Sequence, residues 1–145
     1  MRTKLLIVED NSELLELLRL NLKQAGFTVA TAENGIEALR KARANPPDLV
    51  VLDLVLPELD GFAVCEAMRK DPNLAKVPLL ILTGLSGELT RLTSLDSGAS
   101  ECVAKPVSPS LLVSKIKHWL KSPSPGPVKK PSPPPKAVLQ PSGTS

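Results

Sequence analysis

Three uninterrupted apolar runs restrict the fold of this 145-residue chain more than any other feature. They cover residues 5–8, 49–52 and 79–82, and none of them alternates apolar with polar side chains. Such runs are typical of strands in a parallel sheet that helices cover on both faces. A shorter run at 102–104 and an edge-like run at 27–30 bring the predicted strands to five.

Segments with helical spacing fill the gaps between these strands. One face of a predicted first helix, ended by Gly26, carries Leu14, Leu18, Leu22 and Ala25. Asn34 is placed to cap a second helix that ends before residues 45–47, with Glu37 reaching back toward it. The other predicted helices cover about residues 61–70, about 86–97 and the segment after Ser108, with Pro109 in its first turn. Strands that alternate with helices in this way indicate an α/β fold, a doubly wound parallel sheet with right-handed crossovers.

The excess positive charge lies outside this predicted domain. Residues 1–121 carry 15 basic and 15 acidic side chains, whereas residues 122–145 carry three lysines, eight of the 15 prolines and no acid. We predict one domain over 1–121 and a disordered Pro/Ser/Lys-rich tail or linker over 122–145. The neutral domain is not expected to bind nucleic acid directly, and no apolar run approaches the length of a membrane span.

Polar side chains follow the predicted strands where each strand ends. Glu9 and Asp10 follow the first run, Asp53 the next, Thr83 the third and Lys105 the last. Because the carboxyl ends of parallel strands meet at one edge of a sheet, these residues are predicted to share a pocket. Clustered carboxylates need positive charge, so Lys105 and a hard cation such as Mg²⁺ are expected there. With both in place, Asp53 could act as a nucleophile toward phosphorus.

Four short motifs, in this order and spacing, carry a resemblance to a known family. They are VEDN at 8–11, LDLVLPELDG at 52–61, LTG at 82–84 and AKP at 104–106. Over about residues 3–121 the chain resembles the receiver domain of two-component response regulators. The resemblance implies a flavodoxin-like (βα)5 fold, with a five-stranded parallel sheet in the order 2-1-3-4-5.

The resemblance also implies a phosphoryl site. Asp53 would accept a phosphoryl group from a sensor histidine kinase, a phosphotransfer protein or a small acyl phosphate. Thr83 would hydrogen-bond one phosphoryl oxygen, Lys105 would pair with another, and the Lys105–Pro106 bond would be cis. The protein would then be a cytoplasmic switch without a metabolic substrate, with slow autodephosphorylation at most, that signals to a downstream protein or effector domain.

A Mg²⁺ site follows from the same resemblance. Asp10, Asp53 and the backbone carbonyl of Val55 would hold the ion. Glu9 would act mainly through a bound water. Oxygen ligands of this kind suit Mg²⁺ at a site that also receives a phosphoryl oxygen.

Two positions depart from the family pattern. Cys102 stands where the family commonly carries Tyr or Phe, and Val107 follows the Lys-Pro pair in place of Phe. In the family, that aromatic ring moves inward on phosphorylation, which a cysteine cannot do. We therefore hypothesise that phosphorylation is retained and that its readout uses backbone shifts in residues 84–92. A Cys102→Ala variant with undiminished spectral changes on phosphorylation would exclude a role for the thiol.

Two other functions stay open on the sequence. A phosphatase with an aspartate nucleophile usually needs a second acid two residues further on, but Val55 occupies that position. A degenerate receiver that binds a partner without phosphorylation is suggested by Cys102 and Val107, although the intact acidic set argues against it. A homodimer through the last helices is compatible with the sequence, which shows no pattern for one. The end at Ser145 fits either a natural stop or a longer protein with an effector domain.

Structural roles are predicted for several other reactive side chains. His118 is expected at the surface, and Asp60 with Gly61 at a turn that begins a helix. Cys65, at helical spacing from Phe62 and Met68, is expected in the core. Cys102 is expected to be an inert strand thiol.

Overall fold

The elements alternate strictly between strand and helix. The computed structural model describes residues 3–84 and 88–121. In chain order the elements are β1 (Lys4–Val8), α1 (Ser12–Gln24), β2 (Thr28–Ala32), α2 (Gly35–Ala44), β3 (Leu49–Asp53), α3 (Gly61–Lys70), β4 (Leu79–Thr83), α4 (Glu88–Asp96), β5 (Glu101–Ala104) and α5 (Pro109–Lys121). The predicted order of five strands and five helices is confirmed.

All strand pairs are parallel, and the sheet order is β2-β1-β3-β4-β5, as the resemblance implied. The apolar runs form β1, β3 and β4, the inner strands, in which almost every side chain is buried. One core lies between the sheet and α2 and α3, and includes Leu6, Leu52 and Met68. The other lies between the sheet and α1 and α5, and includes Leu18 and Ile116. Helices on both faces explain why the inner strands show no polar alternation.

The helix boundaries agree closely with the predicted ones. Asn11 caps α1, since its Oδ1 accepts the backbone N–H of Leu14 at 3.0 Å, and Asn34 caps α2 in the same way. Gly26 follows α1 with a φ of 102°, a left-handed conformation that favours glycine. Ser108 caps α5 by accepting the backbone N–H of Leu111 at 3.1 Å.

Three details of the prediction are wrong. The buried face of α1 is Leu15, Leu18 and Leu22, whereas Leu14 is half-buried and Ala25 is exposed. Glu37 does not reach back to Asn34, because its carboxylate accepts the backbone N–H one residue earlier, at Glu33. The second strand is Thr28–Ala32, one residue later at its start than predicted and two residues later at its end, because parallel pairing with β1 sets its register.

Two predictions concern residues outside the described ranges. The predicted start of the fourth helix at residue 86 lies in one gap, while the described part of α4 ends, as expected, before Gly98. The predicted tail, residues 122–145, lies beyond the described chain. Among the helices of residues 3–84 and 88–121, none is long and apolar enough to cross a membrane.

Candidate functional site

The carboxyl edge of the sheet gathers the predicted site residues. Glu9 directly follows β1, Asp53 and Thr83 are the last residues of β3 and β4, and Lys105 directly follows β5. The strand register sets how far along the sheet each of these residues lies. Asp53 pairs with Leu82, and Thr83 pairs with the residue just before Lys105. The structure thus brings together side chains that are up to 96 positions apart in the sequence.

Three carboxylates form one cluster at this edge. Glu9, Asp10 and Asp53 each offer an oxygen, and these oxygens all lie within 4.8 Å of one another. Glu9 is 2% exposed and Asp53 7%, whereas Asp10 is exposed. Ionised carboxylates this close repel one another where two of them are shielded from water, so the cluster favours a neighbouring positive charge.

Lys105, the residue that directly follows β5, supplies part of that charge. Its Nζ lies 2.9 Å from Oε1 of Glu9 and 3.3 Å from Oδ2 of Asp53. Partial burial lowers the pKa of Lys105, but the hydrogen bond to Glu9 and the charge of Asp53 outweigh it and raise that pKa. The ammonium therefore stays protonated throughout the physiological range and neutralises one of the three negative charges.

Glu9 has the most perturbed environment of the three acids. Burial raises its pKa, and the negative charge of Asp53 adds to the effect. The hydrogen bonds from Lys105 and from the backbone N–H of Asn11, 3.2 Å from Oε2, work in the opposite direction without cancelling it. Burial makes the ionised form of Glu9 unfavourable. A metal ion bound nearby would stabilise that ionised form.

Thr83, the last residue of β4, is 2% exposed. Its backbone carbonyl accepts the N–H of Lys105 at 2.8 Å, which ties the end of β4 to the residue that carries the ammonium. The peptide bond from Lys105 to Pro106 is cis, as the resemblance implied. The hydroxyl and the ammonium therefore come from two adjacent, hydrogen-bonded chain segments.

The loop from β3 to α3 forms another side of the site and starts next to Asp53. Val55 lies in this loop with its side chain 62% exposed. Gly61 closes the loop, since a Cβ there would lie 2.7 Å from the carbonyl oxygen of Asp53. Asp60 caps α3 by accepting the backbone N–H of Ala63 at 2.9 Å. The prediction that Asp60 and Gly61 form a turn and a helix start is confirmed.

The donor set fits a hard divalent cation. Three carboxylate oxygens within one small volume, one of them exposed to solvent, can bind an ion that also retains water ligands. Lys105 supplies a single positive charge beside three carboxyl groups. A divalent cation such as Mg²⁺ would supply the further positive charge that such a cluster favours.

Sequence reasoning missed a polar cluster at the start of β5, at the opposite end of this strand from Lys105. Glu101 accepts hydrogen bonds from Nζ of Lys115 and, at 2.8 Å, from Nε1 of Trp119. These contacts fasten α5 to the strand that leads into Lys105. The acid, lysine and indole lie 14 and 18 positions apart, so only the strand–helix packing brings them together.

The remaining reactive side chains behave mostly as predicted. Cys65 and Met68 are buried in the core, and burial raises the pKa of Cys65 to about 12, so the thiol stays protonated. His118 is exposed, and its ring makes an edge contact with the indole of Trp119. Cys102 is only partly buried and packs against the α2–α3 core.

Two relatives with similar sequences are transcriptional regulators that are longer than this chain. The family model for the response regulator receiver domain matches residues 5–117. The alkaline phosphatase synthesis transcriptional regulatory protein PhoP of Bacillus subtilis is 39% identical over 121 residues, which are 83% of this chain and 50% of that protein. The DNA-binding dual master transcriptional regulator RpaA of Synechocystis is 35% identical over 118 residues, 81% of this chain and 49% of that protein. The chain spans about half the length of these relatives.

Solved structures share the fold over nearly their whole length. The signal receiver domain of a signal transduction histidine kinase from Syntrophus aciditrophicus has a TM-score of 0.76 and 35% identity, covering 81% of this chain and 89% of that one. The chemotaxis response regulator CheY4 of Vibrio cholerae has a TM-score of 0.78 and 28% identity, covering 81% and 98%. The chain therefore belongs to the response regulator receiver domain family, whose members are phosphorylation-controlled switches of two-component signalling rather than metabolic enzymes.

Proposed function

We propose that Asp53 is the phosphoacceptor of this chain. One oxygen of its carboxylate attacks the phosphorus of a phosphohistidine or of a small acyl phosphate, and a new O–P bond forms. The P–N bond of the histidine, or the P–O bond of the acyl phosphate, breaks at the same time, and the leaving group keeps that bond's electron pair. The observation that carries the proposal is the position of Asp53, at the end of the central strand and among two further carboxylates and a lysine.

Lys105 and Thr83 have separate roles in this reaction. Nζ of Lys105, 3.3 Å from Oδ2 of Asp53, is close enough to pair with an oxygen of the incoming phosphoryl group. Thr83, at the end of the neighbouring strand, donates its hydroxyl hydrogen to another phosphoryl oxygen. Once Lys105 pairs with the phosphoryl group, its contact with Glu9 weakens, so the new charge is linked to the end of β5.

Asp10, Asp53 and the backbone carbonyl of Val55 are the proposed Mg²⁺ ligands, with Glu9 acting through a bound water. When bound, Mg²⁺ supplies a Lewis acid that neutralises charge on the transferred phosphoryl group. Asp10, exposed at the mouth of the pocket, leaves space for water ligands. Because Asp53 is buried, bulk water has little access to its carboxyl group, which favours slow rather than fast autodephosphorylation.

The proposed partners follow from this chemistry. A sensor histidine kinase or phosphotransfer protein supplies the phosphoryl group, and a downstream protein or an effector domain receives the signal in the cytoplasm. Since two of the relatives are named as transcriptional regulators and are about twice as long, an effector that binds DNA is one proposed output of the whole protein.

Incubation with acetyl phosphate and Mg²⁺, followed by phosphate-affinity electrophoresis, tests the proposal. We expect a slowly migrating species in the parent protein and none in Asp53→Asn, which keeps the size of the side chain. Asp48→Asn is a matched control, because Asp48 is exposed at the opposite end of the same strand. Loss of the species in the control as well would contradict the assignment to Asp53. No modification with any donor would favour a binding module, and repeated turnover of a phosphoester would favour a phosphatase.

A further inference from the structure

A groove of about 470 Å³ lies at the far edge of the sheet from Lys105, between β2 and the C-terminal half of α2. Its floor is formed by Leu6, Thr28 and Ala30. Side chains of β1 and β2 alternate between the two faces of the sheet, and those at even-numbered positions face α2. Leu6 and Ala32 show this, because both lie in the core on the α2 side. Thr28 and Ala30 are nevertheless exposed, because the groove separates them from the C-terminal half of α2. The groove, which we call the β2–α2 groove, is therefore an open extension of the domain core.

The outer edge of β2 offers backbone groups to this groove. Thr28 donates its N–H to the carbonyl of Thr3, and the carbonyl of Ala32 accepts the N–H of Glu9, so even-numbered residues of β2 face β1. The N–H and C=O groups of Val29 and Thr31 consequently point away from β1. In the described part of the chain, no strand pairs with this side of β2. Edge strands of this kind are templates for a further strand.

Lys41 limits how far such a strand could extend. Its Nζ donates to the outward carbonyl of Thr31 and pairs with Glu37 at 3.2 Å. The backbone groups of Val29 stay accessible, whereas the carboxyl end of β2 is already occupied. An added strand is therefore expected beside Val29, over the middle and the start of β2.

The charged side chains that line the groove are all basic, although Lys41 also pairs with Glu37 outside the groove lining. Lys4, Arg40 and Lys41 line it, and no acidic side chain is among its lining residues. Nζ of Lys4 is held at the rim by Oδ1 of Asn45 at 3.0 Å. Arg40 is exposed and also lines a second depression with Ile36, which is 53% exposed. Positive side chains around a small-residue floor complement a negatively charged, extended ligand.

We propose that the β2–α2 groove binds an extended acidic segment of a partner protein, which adds a strand beside Val29. In a strand, every second side chain points to the same face, so Glu or Asp at alternate positions would meet the cations of the groove. The residues between these acidic positions of the bound segment would be small and apolar, and their side chains would face away from α2. The site is distant from Asp53 in the sheet and does not depend on the chemistry at Asp53.

The test uses the full 145-residue chain, ¹⁵N-labelled, and a capped peptide in which Glu and Val alternate over seven residues. We expect amide shift changes centred on residues 28–31 and on α2. In fluorescence anisotropy at low salt, Arg40→Glu should weaken binding about fivefold or more, because a favourable rim contact becomes repulsive. Lys117→Glu, an exposed lysine on α5 at the opposite face of the sheet, is the matched control and should leave the affinity unchanged.

A second variant tests the added strand itself. Val29→Pro removes one outward N–H of β2, while the hydrogen bonds that its even-numbered residues make to β1 remain. The domain should therefore still fold but no longer bind the peptide. Asp53→Asn should bind the peptide as the parent does. The proposal is overturned if a Lys/Val peptide binds equally well, if Arg40→Glu has no effect, or if no shifts occur near β2. Equal shifts from inorganic phosphate would reduce the groove to a simple anion site, and stronger binding of an oligonucleotide would make nucleic acid the ligand.

Discussion

Replacement of Lys105 by methionine should destabilise the folded domain at neutral pH in the absence of Mg²⁺. Lys105 contacts Glu9 at 2.9 Å and Asp53 at 3.3 Å, and its loss leaves a buried carboxylate without its cation. A buried charge left without its partner lowers the free energy of unfolding by about 3–5 kcal/mol. A hydrogen bond to a charged group contributes about 1.5–3 kcal/mol to it. Because the Lys105 side chain is 23% exposed, water can partly replace it, and we expect a loss of about 2 kcal/mol.

The pH dependence of the free energy of unfolding tests whether this loss comes from the charge interaction between Lys105 and Glu9. Burial raises the pKa of Glu9 above its ordinary value of 4.5, and removal of Lys105 eliminates two influences that lower it. A carboxyl group with a raised pKa stabilises the folded state below its ordinary pKa, and that stability is lost as the pH rises through the folded pKa. Since the raised pKa makes Glu9 more protonated near pH 4 than at pH 7 in both proteins, the part of the difference that Glu9 causes should shrink there, while the contact of Lys105 with Asp53 is not affected by Glu9.

Urea unfolding of parent and Lys105→Met at pH 7 and pH 4 measures both quantities. Lys115→Met is the matched control, because Lys115 pairs with Glu101 at the surface, where both side chains are about 30% exposed. We expect a smaller loss for this control, at most about 1 kcal/mol, at pH 7. An equal loss at both pH values in Lys105→Met would refute the electrostatic reasoning and point to lost packing of the lysine stem.

Three further outcomes are expected. Mg²⁺ should raise the melting temperature of the parent at pH 7 and do so much less in Asp10→Asn, as differential scanning fluorimetry would show; equal rises would remove Asp10 from the metal site. Gly35→Ala should cost about 2 kcal/mol or more in urea unfolding, since a methyl group would overlap the β3–α3 loop, whereas Gly84→Ala meets no atom within 4 Å and should be nearly neutral. Glu101→Ala should cost about 1 kcal/mol and change the fluorescence of Trp119, the only tryptophan, and an unchanged spectrum would contradict the hydrogen bond to its indole.

The inner strands and the acidic pocket could be predicted because their determinants are local in the sequence. An apolar tetrad such as 79–82 specifies a buried strand, and the residue after it must lie at the carboxyl edge of the sheet. Once three strands are parallel, the meeting of Glu9, Asp53 and Lys105 follows from topology alone. No knowledge of side-chain packing is needed for that step.

What could not be predicted depends on tertiary geometry. Leu14 and Leu15 are equally apolar, and only the orientation of α1 on the sheet decides that Leu15 is the buried one. Arg69 is a second example. Its guanidinium donates to the carbonyls of Gly98, Ala75 and Val77, which come from two separate loops. Burial lowers the pKa of Arg69. The carbonyls that accept its hydrogen bonds are backbone groups, which no sequence pattern marks as its partners.

The contacts on either side of Cys102 indicate how the domain could transmit a signal without an aromatic residue at this position. Strand β5 begins at Glu101, which is fastened to α5 through Lys115 and Trp119, and leads directly to Lys105, which is fastened to Glu9. A phosphoryl group on Asp53 would draw Lys105 away from Glu9, and the displacement would pass along a strand of only four residues. Because Glu101 holds α5 by charged hydrogen bonds, such a strand shift can reach the helix without an aromatic ring at 102. The test is to measure whether phosphorylation changes the fluorescence of Trp119 in the parent and no longer does so in Glu101→Ala.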